Sequence, residues 1–84
     1  MTKQEFQEMK TLEKVQYMLE RGEEVMSRIY LFYNIKLYAV GNFFVEIWYR
    51  QIAGKIDYVE VVDFEDVFLN YKNEIDISDL YQKN

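Results

Sequence analysis

The chain has no cysteine, no histidine and no proline, and only three glycines. Without cysteine there is no disulfide, no thiolate nucleophile and no thiolate metal site. Without histidine, the commonest general base and metal ligand at neutral pH is missing. The hydroxyls of Thr2, Thr11, Ser27 and Ser78 stand at the ends of expected elements, where capping or turn roles account for them. Three glycines do not make a phosphate-binding loop. No apolar run approaches the roughly 18–20 residues of a membrane span, and the opening "MTKQEFQEMK" is too polar for a signal peptide. The expectation is a non-enzymatic cytoplasmic protein with no cofactor, no bound metal and no membrane segment.

What is present is apolar and aromatic. Half of the 84 residues are hydrophobic and 18% are aromatic, enough for folding rather than disorder. The length sets one domain, 1–84, with a core that buries only roughly 60–65% of the unfolded surface. Association would add stability to such a chain.

The net charge of −5 is unevenly placed. Residues 1–52 hold seven basic and seven acidic side chains, so the excess lies in the last third. There Lys55, Lys72 and Lys83 face Asp57, Glu60, Asp63, Glu65, Asp66, Glu74, Asp76 and Asp79. Such a surface repels phosphate backbones and argues against nucleic-acid binding. Asp63, Glu65, Asp66, Glu74, Asp76 and Asp79 read either as a solvated face or as a patch that docks a basic partner. Three acids at a helix start also suit capping and the helix dipole better than a cation site.

Thr2-Lys3-Gln4-Glu5 reads as a capping box. Phe6, Met9, Leu12, Val15, Met18 and Leu19 recur at helical spacing, and Arg21-Gly22 signals an end with glycine in the left-handed conformation. This predicts a helix over 3–21; Thr11 offers an alternative, later start. Residues 28–40 are β-branched and aromatic and read as one strand. Gly41-Asn42 is a turn signal, and 43–52 forms the second strand. A turn at Ala53-Gly54-Lys55 leads into a third, over 55–62, whose alternation is blurred. Asp63 with Asp66 begins a helix over 64–74, with Val67, Phe68, Tyr71 and Ile75 as its stripe, and Ser78 caps a short turn at 78–82. The expected fold class is α+β: an N-terminal helix, a three-stranded antiparallel meander and a C-terminal helix.

Two hairpin registers compete. A two-residue turn sets Leu37 opposite Glu46 and Lys36 opposite Ile47, a poor match. A three-residue loop, Val40-Gly41-Asn42 with Asn42 left-handed, pairs Leu37 with Val45, Ile35 with Ile47, Tyr33 with Tyr49, Lys36 with Glu46, Phe32 with Arg50, and Tyr38 with Phe44. The second is the expected register. It places the odd-numbered residues of both strands against the first helix and gathers Tyr30, Phe32, Tyr38, Phe44, Trp48, Arg50 and Tyr58 on the opposite face. If both helices sit on one side, that aromatic face is an interface, for a second copy of the chain or another protein.

The run "YNIKLYAVGNFFVEIWY", a turn, a third strand and "EDVFLNYKNEIDISDLY" resemble small uncharacterised bacterial proteins of α-β-β-β-α layout, over residues 30–81. The resemblance implies the fold and supplies no site. The functional expectation is a small interaction module, of bacterial or phage origin, that forms a dimer through the aromatic sheet face. The alternative is an acidic inhibitor or antitoxin-like protein that blocks a basic site through its C-terminal third.

Overall fold

Four antiparallel strands are present among the described residues, one more than the sequence predicts. In a computed structural model, residues 1–72 are described. Their order is α1 (Lys3–Gln7), α2 (Thr11–Arg21), β1 (Glu23–Tyr30), β2 (Tyr33–Val40), β3 (Phe43–Arg50), β4 (Lys55–Val62) and α3 (Phe64–Tyr71). The strands form one meander in the order β1-β2-β3-β4. The protein is α+β with an antiparallel sheet. The expected turn at 78–82 and the end of the expected helix, including Glu74, Ile75, Asp76 and Asp79, lie outside the described residues.

The N-terminal helix is broken rather than continuous over 3–21. The Thr2–Glu5 capping box forms, with Thr2 N donating to Glu5 Oε1 at 2.8 Å and Glu5 N to Thr2 Oγ1 at 3.1 Å. After Gln7 the chain bends and restarts with Lys10 at the N-cap position, where Lys10 N donates to Glu13 Oε1 at 3.0 Å. The break splits the apolar stripe. Phe6 and Met18 are fully buried, Met9 and Val15 pack beside them, and Leu12 and Leu19 turn outward. Gly22 is extended (φ −87°, ψ 157°), so left-handed freedom is not why glycine stands there. A Cβ at Gly22 would lie 2.7 Å from the Met18 carbonyl oxygen, so close approach of backbone to backbone requires it.

The expected 28–40 strand is two strands joined by a tight turn at Leu31-Phe32, with Tyr30 opposite Tyr33. Leu31 takes φ +54°, a conformation costing a side chain with a Cβ about 1–2 kcal/mol. The neighbouring connection braces it, because Gln51 N donates to Phe32 O at 2.9 Å. Leu31→Gly is therefore expected to keep or raise the melting temperature. Leu31→Val, branched at Cβ, should destabilise by about 1 kcal/mol or more. A lower melting point for the glycine variant than for the valine variant would contradict the strained turn.

The β2–β3 register is the two-residue one. Val40 pairs with Phe43, and Gly41 supplies the left-handed residue at φ +58° in place of Asn42. Leu37 stands opposite Glu46, Lys36 opposite Ile47, Tyr38 opposite Val45 and Tyr33 opposite Arg50. Lys36 is 3.8 Å from Glu24 rather than paired with Glu46. Relative to the expected register, β3 keeps its face and β2 is turned over. The blurred alternation of β4 has a local cause. A bulge leaves Asp57 unpaired between Tyr58, opposite Trp48, and Ile56, opposite Tyr49. Ile56 thereby joins Val59 and Val61 on one face.

Both faces of the sheet hold core. On one, α1 and α2 cover Tyr38, Val40, Phe43, Val45, Ile47 and Val59. On the other, α3 lays Val67 and Tyr71 on Leu37, with Met26, Phe44 and Val62 around them. Asp63 occupies the N-cap position of α3, but its side chain makes no capping hydrogen bond, so the expected Asp63–Asp66 box does not form. The Asp63 carboxylate instead lies 3.9 Å from Lys3 Nζ. Phe68, expected in the buried stripe, is 43% exposed.

Candidate functional site: an aromatic cluster beside a buried carboxylate

Among the described residues, the α3-bearing face is half covered. Eight residues of helix reach only the Phe44–Glu46 end, and the Trp48 end lies beyond it. There Trp48 is ringed by aromatics, each from a different strand. Its ring centroid is 6.1 Å from Tyr30 on β1, 5.2 Å from Tyr33 on β2 and 5.7 Å from Tyr58 on β4, all edge-on. Phe32, in the β1–β2 turn, lies 4.9 Å from Tyr33. Edge-to-face packing of this kind stiffens a patch beyond what its buried area contributes. Tyr30, Phe32 and Tyr58 remain about half exposed, at 51%, 49% and 48%.

Of the seven residues the sequence places on this face, Tyr30, Trp48, Arg50 and Tyr58 are there, and Phe32 borders it from the turn. Tyr38 is buried on the opposite face in the α1–α2 core, because β2 is turned over. Phe44 lies on the correct face but beside Val67 of α3. The same inversion of β2 brings Tyr33 into the cluster.

The charges in the patch are neutralised from within. Asp57 Oδ2 accepts from Tyr33 Oη at 2.9 Å and from Arg50 Nε at 2.8 Å, and Arg50 Nη2 is 2.7 Å away. Burial works to raise the Asp57 carboxyl, but the Tyr33 and Arg50 contacts outweigh it and lower it. Burial, then the hydrogen bond to that carboxylate, pushes the Tyr33 phenol up to about 12.

At the covered end sits Glu46, a buried carboxylate the sequence reading leaves on an open surface. Its side chain is 3% exposed and that of Arg28 is 16% exposed. Each carboxylate oxygen accepts two hydrogen bonds. Oε2 takes Arg28 Nε at 3.2 Å and Tyr71 Oη at 2.8 Å. Oε1 takes Arg28 Nη2 at 3.4 Å and Trp48 Nε1 at 3.2 Å. The Arg28 guanidinium lies 5.5 Å from the ring centroids of both Trp48 and Tyr71. Burial works to lower the Arg28 pKa, but the Glu46 contacts outweigh it and raise it. Burial and the Glu46 carboxylate both push the Tyr71 phenol upward. The network ties β1 to β3 across β2, pins α3 to the sheet and fixes the Trp48 indole, which begins the aromatic cluster.

Arg28 escaped the sequence reading, and Tyr71 was read only as part of the apolar stripe of its helix, without its tie to Glu46. The available signal was Glu46 itself, an acid between apolar neighbours, which needs a cation and donors on its own face.

Asp63, Glu65 and Asp66 are exposed at the start of α3. Among the described residues no three of the histidine, cysteine, aspartate and glutamate side chains gather to hold a metal ion. No helix among them is long and apolar enough to cross a membrane. The chain matches no protein-family model, no curated protein and no solved structure.

Proposed function

We propose that this protein is a non-enzymatic interaction module that self-associates through the aromatic end of its α3-bearing face. The observation that carries the reading is the Trp48 cluster: four ordered aromatic rings, two of them half exposed, at the end of the sheet α3 leaves bare. Tyrosine and tryptophan held rigid lose little entropy on docking, which is why they anchor interfaces. A second copy suits the surface electrostatically. Arg50 is paired with Asp57 and Arg28 with Glu46, so two such patches meet without like-charge repulsion. The absence of histidine and cysteine from the sequence supports the non-enzymatic reading.

The test substitutes the rim rather than the hub. With Trp48 Nε1 bonded to Glu46, Trp48→Glu would set two carboxylates together and damage the fold, so it cannot report on the interface alone. Tyr30 is exposed and makes no hydrogen bond to that carboxylate. Wild type should show a concentration-dependent mass by sedimentation, with Trp48 fluorescence shifting to the blue on association. Tyr30→Glu should be a folded monomer, its melting temperature lowered only by the loss of one half-exposed edge-on contact and of the stabilisation that association adds. A wild type that stays monomeric at every concentration, or a Tyr30→Glu variant that associates equally well, overturns the reading.

A further inference from the structure

We propose that the free edge of β4 accepts an extended, positively charged segment of another protein as a fifth strand. Among the described residues, β4 ends the sheet order and has a pairing partner on one side only. Alternate residues along it therefore present N–H and C=O groups outward, a template for strand addition. Its bulge is confined to the Ile56–Tyr58 end, so Tyr58–Val62 is a regular five-residue edge.

The edge is not flat against solvent. A groove of about 570 Å³ is floored by the four consecutive residues Val59–Val62, with Gln7 and Lys14 along one wall and Asp66 along the other. Consecutive strand residues point to opposite faces, so one groove touches all four only by following the strand edge. The walls come from the two helical layers: α1 and α2 on one side, α3 on the other. β1, the other edge, has a bulge between Glu24 and Met26.

The charges select the occupant. Glu60, Asp63, Glu65 and Asp66 are exposed on and beside the groove, against Lys3 and Lys14. Lys3 lies 3.9 Å from Asp63, and Lys14 leans over the Phe6 ring at 5.9 Å. Negative charge dominates. A second copy of β4 would bring Glu60 and the acids of α3 against their own equivalents, so self-pairing is disfavoured. A basic strand meets the opposite field. The two faces differ: Val59 and Val61 look toward the α1–α2 side, Glu60 and Val62 toward α3. The segment that fits alternates apolar side chains with lysine or arginine, the basic set toward Glu60 and Asp66. Backbone pairing supplies the geometry and charge supplies the choice of partner.

The probe is an end-blocked peptide of alternating lysine and valine, with two controls: glutamate in place of lysine, and the lysine peptide N-methylated at every residue, so that neither of its edges keeps a backbone donor. At low salt the lysine peptide should bind by calorimetry and slow amide hydrogen exchange at alternate positions of Tyr58–Val62. Its affinity should fall about tenfold or more on adding salt or in the Glu60→Lys/Asp66→Lys variant, whose changes are at exposed sites. The N-methylated peptide has lost strand donors and should not bind. Tyr30→Glu, which tests the aromatic face, should leave peptide binding unchanged. Failure of the lysine peptide to bind, equal binding by either control, or protection at amides outside β4 overturns the proposal.

Discussion

Glu46→Ala is expected to cost about 3–5 kcal/mol, because it leaves the Arg28 guanidinium desolvated without its counter-ion. It also removes the acceptor for Tyr71 and Trp48. For a domain whose whole stability is on the order of 5–15 kcal/mol, and at the low end for this size, that loss is enough to unfold much of the population. Glu46→Gln tests the charge apart from the shape. It keeps an acceptor but places an amide NH2 against donors already present, so its cost should fall between that of alanine and zero. The Glu46→Leu/Arg28→Met double variant removes both charges and should be less damaging than Glu46→Ala alone. Urea unfolding measures all three. A cost below about 1 kcal/mol for Glu46→Ala would place the carboxylate in solvent and remove the pin that seats α3.

Glu46 also shows where a pairwise reading of strands fails. Leu37 opposite Glu46 looks like a mismatch when only two strands are weighed, and on that ground the three-residue loop is preferred from sequence. The carboxylate is satisfied by groups from β1, from its own strand and from α3, while Leu37 packs on α3. No list of cross-strand pairs between residues 33–40 and 43–50 contains those partners. The place of the Gly41-Asn42 turn, though not its two-residue form, the β4 span and the α1–α2 face of β3 were legible, because glycine and period-two alternation are local signals. The β1–β2 turn was not, because Leu31-Phe32 carries no glycine, asparagine or aspartate to mark it. Length was the remaining clue: a strand spanning 28–40 exceeds the usual 3–10 residues. The candidate site was half legible for the same reason. The β3 aromatics were assigned to the correct face, and the inverted β2 exchanged Tyr38 for Tyr33.

The second large effect follows from the two-sided core. Ile47 and Leu37 are both fully buried, and truncating either to alanine should cost about 2–5 kcal/mol in lost transfer energy and residual cavity. In the register expected from sequence both would lie under the first helix. In the structure Ile47 packs with Phe6, Met18 and Val45, whereas Leu37 packs with Val67 and Tyr71. The two costs therefore fall on different helices, and milder substitutions that keep the chain folded separate them. Ile47→Val, at about 0.5–1.5 kcal/mol, should shift the NMR signals of α1 and α2 and leave those of α3 in place. Leu37→Val should do the reverse, disturbing Val67, Tyr71 and, through the Tyr71 hydroxyl, the Trp48 indole N–H that shares Glu46 with it. If Leu37→Val instead perturbed Phe6 and Met18, β2 would have to be turned over. The Trp48 cluster would then lose Tyr33, Tyr38 would move to the α3 end of that face beside Phe44, and the internally neutralised patch that favours self-association would lose the hydroxyl that helps to hold Asp57.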